Sequence, residues 1–110
     1  MAGAVVTSGT TTVGVITIQV NAEALYVRVQ NVGSAPIGVV ARSGVAPADP
    51  VFGADDVFTI GPNDDQTIQV SGTLYDQGDP ARTQPTPSVF VKAVCTAAGQ
   101  TVTVTALDSP

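Results

Sequence analysis

Residues 101–106 read Thr-Val-Thr-Val-Thr-Ala, with a small or β-branched apolar side chain at every second position. Successive side chains of a β-strand point to opposite faces, so this alternation describes a strand with one face in a core and the other in water. The same period recurs along the chain. Leu25, Val27 and Val29 alternate with Tyr26, Arg28 and Gln30; Ile37, Val39 and Ala41 alternate with Gly38, Val40 and Arg42. Val89, Val91, Ala93 and Cys95 alternate with Phe90, Lys92, Val94 and Thr96. Shorter runs at residues 57–60 and 66–71 predict two further strands, the second presenting Ile68 and Val70 on one face. In residues 13–20, Val13 and Val15 hold one parity and Ile16, Ile18 and Val20 the other, which predicts a bulge or bend near residues 14–16. No stretch carries the 3.6-residue period of a helix, and no internal repeat is present.

About seven strands follow, and the connections between them divide into two kinds. Residues 21–23, 32–35, 61–65 and 97–100 are short and rich in Asn, Gly, Pro and Asp, the chemistry of tight hairpin turns. Residues 43–56 and 72–88 are long and interrupted by Pro47, Pro50, Pro80, Pro85 and Pro87. Long connections between hairpins suit strands that pass from one sheet to another. The expected fold is therefore all-β: an antiparallel sandwich of Greek-key or jelly-roll type, with a partly closed barrel as the alternative. The chain has 110 residues, the size of one domain with one modest core. Residues 13–110 are assigned to the sandwich, and residues 1–12, built of small residues, Thr and Gly, to an extended N-terminal arm. At ~3.3 Å per residue such an arm reaches about 40 Å, enough to add to a neighbour's sheet edge.

Composition narrows the chemistry. Nineteen Val and fourteen Thr against three Leu suit pleated surfaces and disfavour helices. Four Lys and Arg against nine Asp and Glu leave a net charge of -5, so the chain has no means of gripping a phosphate backbone and no nucleic-acid partner is expected. No apolar run approaches the ~20 residues of a membrane helix, and residues 1–12 lack the basic and apolar blocks of a secretory signal. A single cysteine forms no internal bridge, which leans toward folding in a reducing cytoplasm. With no histidine, the usual acid/base group and commonest metal ligand are both missing, so the chain is read as no enzyme and no cofactor is assigned.

Individual residues fit that reading. Cys95 shares parity with Val89, Val91 and Ala93, the position of a small core side chain, and no histidine is present to activate it. Asp55–Asp56, Asp64–Asp65 and Asp76 with Asp79 are acidic pairs that would have to converge to hold Ca²⁺, and none has the spacing of an EF-hand loop. Leu74 and Tyr75 stand out in an otherwise polar connection, and Phe90 and Val94 give the strand at 89–96 a second apolar face. Together with Val5 and Val6 of the arm, these six residues form the expected interface with other subunits, and self-association is the expected state.

Three segments carry a family resemblance. The run from Leu25 to Val40 resembles the strand, Asn-x-Gly, strand opening of small β proteins among the virion proteins of tailed bacteriophages. The run from Phe58 to Val70, with Gly61-Pro62-Asn63 at its turn, is similar to their middle strands, and the run from Val89 to Ala106 to their closing pair. The resemblance spans roughly residues 24–107 and implies a capsid decoration, or cement, protein: a small sandwich that binds the outside of the assembled head, often as homotrimers, and ties neighbouring major capsid proteins together. It implies a protein made in the host cytoplasm and located on the virion surface. Other roles on the same kind of fold are a tail-tube, neck or head-fibre subunit, and an immunoglobulin-like adhesion module. A small barrel that binds ligands or acts as an enzyme is disfavoured by the missing histidine and aromatic lining.

Overall fold

A computed structural model describes residues 5–22, 24–44, 46–70 and 88–107. These residues form eight strands: β1 (Val6–Thr10), β2 (Gly14–Val20), β3 (Tyr26–Val32), β4 (Ile37–Ser43), β5 (Phe58–Ile60), β6 (Asp65–Gln69), β7 (Val89–Cys95) and β8 (Thr101–Leu107). They make two four-stranded sheets, ordered β1-β8-β3-β6 and β2-β7-β4-β5, with every pairing antiparallel. Among the described residues neither sheet closes on itself, so the fold is a sandwich and not a barrel.

The pairing is nested. β4 pairs with β5, β3 with β6, β2 with β7 and β1 with β8. This is one long hairpin whose arms each hold four strands, rolled so that β3 also meets β8 and β4 also meets β7. That wiring is a jelly roll. The connection between β6 and β7 passes from one sheet to the other as expected, but the roles of most other connections are reversed. Residues 33–36, 61–64 and 96–100 carry the chain from one sheet to the other, whereas the long 44–57 connection is the turn of the founding hairpin, joining neighbours in one sheet. Four or five residues span either the ~4.8 Å between paired strands or the ~10 Å between packed sheets, so turn chemistry alone does not distinguish the two.

Two further expectations change. Residues 6–10, assigned to a free arm, are β1, in register with β8 from Val6↔Thr105 to Thr10↔Thr101. The sandwich therefore begins before residue 13; residues 1–4 lie outside the described residues. β2 contains no bulge, because its register with β7 runs unbroken from Gly14↔Cys95 to Val20↔Val89. The parity change falls instead at the turn into the strand. Gly14 has φ +112°, a conformation open to glycine, and Val13 and Val15 both end up exposed.

The core lies between the sheets and is almost entirely branched aliphatic. Val27, Val29, Val102 and Val104 face Ile37, Val39, Val89 and Val91, all fully buried, with Ile18, Val20, Ile60 and Ile68 completing the layer. Cys95 and Ala93 lie in it as the alternation predicts, whereas Leu25, one residue before β3, is exposed. Gly9 supplies a close approach between the sheets, since a Cβ there would sit 3.0 Å from Ile18 Cγ1.

Candidate functional site

Four connections, residues 11–13, 33–36, 61–64 and 96–100, gather at one end of the sandwich, sealed by buried side chains. Thr11, Asn31 and Gln100 each extend the inward-facing row of a strand by one step. Asn31 Nδ2 donates to Ala35 O at 2.9 Å and Gly61 O at 3.0 Å, and its Oδ1 accepts from Gln100 Nε2 at 2.9 Å. Gln100 Nε2 also donates to Ala35 O, and its Oε1 accepts from Ala35 N at 2.8 Å. The Thr11 hydroxyl donates to Ala97 O and accepts from Gln100 N. Both buried amides are thus satisfied by backbone from several connections, which is the condition for burying them at all. Gly33 permits this packing, because a Cβ there would fall 2.3 Å from Gln100 Cδ. The cluster locks the end of the fold and leaves no polar atom aimed at a ligand.

The outer face of the second sheet bears the apolar side chains Val15, Val40, Phe90 and Val94 with Lys92 among them. Much of it is covered by the chain's own 44–57 connection. A Cβ on Gly38 would meet Val57 Cγ1 at 2.9 Å, Val94 Cγ1 at 3.0 Å and Phe52 Cδ2 at 3.6 Å, so the connection packs directly on β4. Lys92 Nζ donates to Asp49 Oδ1 at 2.7 Å and ties the same connection to β7. Phe90 and Val94, expected at a subunit interface, are accordingly half-buried within the single chain. An open groove of about 540 Å³ runs along this connection, lined in part by Val40, Arg42, Pro47, Asp49, Val57 and Phe58.

The other expected interface residues are placed differently. Val5 and Val6 are exposed at the start of β1, Val6 at 55%. Leu74 and Tyr75 lie outside the described residues, as do Asp76 and Asp79. Asp64 and Asp65 serve turn and sheet: Asp64 O accepts from Asn31 N, and Asp65 pairs with Arg28 on the first sheet's outer face. Among the described residues no three His, Cys, Asp or Glu side chains converge. Burial raises the Cys95 thiol above its ordinary pKa, which keeps it protonated and unreactive at neutral pH.

One property of the surface is half written in the sequence, as a long uncharged stretch, and half in the strand order that places it. Residues 1–22 contain no charged side chain, and the described part of this stretch forms β1 and β2, the two edge strands at one side of the sandwich. Asp55, Asp56, Asp64 and Asp65 lie in or beside β5 and β6, the edge strands of the opposite side. The described residues thus define an eight-stranded jelly roll with one uncharged and one acidic flank. No family model, curated protein or solved structure matches the chain.

Proposed function

We propose that this protein is a virion structural component, a capsid decoration protein that binds the outside of the assembled head and ties major capsid proteins together. The observation that carries the reading is the surface: a jelly roll, an architecture that capsid domains use, with an uncharged flank exposing Val5, Val6, Val13 and Val15. Such a flank suits contact with protein. The resemblance of residues 24–107 to small phage virion proteins points to the same role and to a homotrimer as the attached unit.

The mechanism is mass action. A module that binds only the assembled shell stabilises it by the binding free energy of each copy, and a trimer spanning several capsomers makes its later contacts intramolecular. No chemical step is required, and the described side chains are read as structural and non-catalytic. Mixing the protein with undecorated heads and counting bound copies per purified particle tests the proposal. Saturable binding that weakens when Val5 and Val6 are both changed to Asp is expected; particles that emerge bare at saturating protein would overturn it.

A further inference from the structure

A sheet edge presents unpaired backbone groups, and proteins ordinarily guard such edges with charge, proline, bulges or brevity. Three of the four edges here are short or guarded. β5 has only three residues and runs into Gly61-Pro62. β6 begins at Asp65, next to Asp64. β1 has five residues, with Gly9 as its fourth. β2 is different: seven residues, Gly-Val-Ile-Thr-Ile-Gln-Val, without charge, proline or bulge, in unbroken register with β7 on one side only. Among the described residues, alternate positions of β2 therefore direct N–H and C=O groups away from the sheet with no strand to receive them.

We propose that β2 is a self-association edge, through which two copies of this chain pair antiparallel about a two-fold axis at Thr17 and join their second sheets into one. The sequence of the edge is self-complementary in that register. Thr17 faces Thr17 of the second copy, Val15 faces Gln19 and Ile16 faces Ile18, so side chains of matching parity meet on each face. Ile16, the inward-facing aliphatic of β2 that a single chain leaves half-buried, gains cover from the second copy. Charge selects the occupant. Each copy carries -5, and among the described residues the β1/β2 flank is where two copies approach without bringing carboxylates together. Lys92, the charged neighbour in register with Thr17, already has its ammonium held by Asp49. An isologous contact of this kind closes on itself and does not propagate into fibres. The pairing does not rest on the decoration reading: it runs through the β2 edge, whereas the shell contact is tested at Val5 and Val6 beside β1.

Sedimentation of the intact protein tests it, with two double variants at exposed positions chosen for the register. V15K/Q19K places four like charges around the axis and is expected to halve the mass from dimer to monomer. V15K/Q19D places each new Lys opposite an Asp of the other copy and is expected to restore the dimer, with affinity that falls as salt rises. Thermal unfolding of each variant confirms that the sandwich persists, and amide exchange along β2 should slow in the dimer relative to V15K/Q19K. A monomeric wild-type protein, a dimer or trimer unmoved by V15K/Q19K, or a monomeric V15K/Q19D each overturns the pairing. The trimer outcome would do so while leaving the decoration reading intact.

Discussion

Asn31 and Gln100 show how a polar side chain earns a place in an aliphatic core. Both are buried, and each amide is held by backbone and by the other, 69 residues away in sequence. Replacing Asn31 by Ala leaves Gly61 O without its donor and removes one acceptor from Gln100 Nε2. The expected cost is about 2–3 kcal/mol, read as a lowered midpoint in urea with an unchanged slope. Cys95 supplies a pH dependence. Burial raises its thiol from the ordinary value of 9.0, so above that pH the unfolded chain loses a proton that the folded chain keeps. The unfolded state then binds fewer protons, and stability is fully present below pH 9.0 and declines as pH rises above it. Melting scans from neutral to alkaline pH should show that decline, and Cys95→Ala should flatten it. Strand parity made the buried positions legible: Val27, Val29, Val91, Cys95, Val102 and Val104 are all in the core. The same parity extends to Thr11, Asn31 and Gln100, where their polarity and nearby turn residues obscured it.

At the scale of elements, β1 separates what local pattern can and cannot reveal. Val-Thr-Ser-Gly-Thr has too little bulk to announce a strand, and its partner β8 lies at the far end of the chain. Its inward residues, Thr7 and Gly9, are small because Ile18 of the facing sheet fills the space above Gly9. Deleting residues 2–12 therefore strips a strand from the first sheet, uncovers β8 and removes the Thr11 hydroxyl from the end cluster. A clear fall in melting temperature is expected, on the order of 10 °C or more, since several kcal/mol of ladder and packing are lost and each shifts a domain of this size by ~4–8 °C. Melting equal to that of the full chain would show that β1 contributes nothing to the fold. The turns were misread for a related reason: short polar connections serve hairpins and sheet crossings alike, and only the nested pairing tells them apart.

For the whole molecule, the organising fact is that one long hairpin has been rolled into two sheets, which brings both uncharged edge strands, β1 and β2, to one flank and the acidic β5 and β6 to the other. Strand alternation and the spacing of turns predict a small β sandwich, but the flank asymmetry appears only when the strand order is known. A module of this kind acts through what it touches, and its proposed effect is on the stability of a larger shell. The most direct measurement is the temperature at which purified heads lose integrity, followed by light scattering with and without saturating protein. Decorated heads are predicted to withstand a higher temperature, by an amount that tracks the number of bound copies and disappears when binding is abolished by Val5→Asp with Val6→Asp. Heads that bind the protein fully yet fail at the same temperature as bare ones would contradict the account.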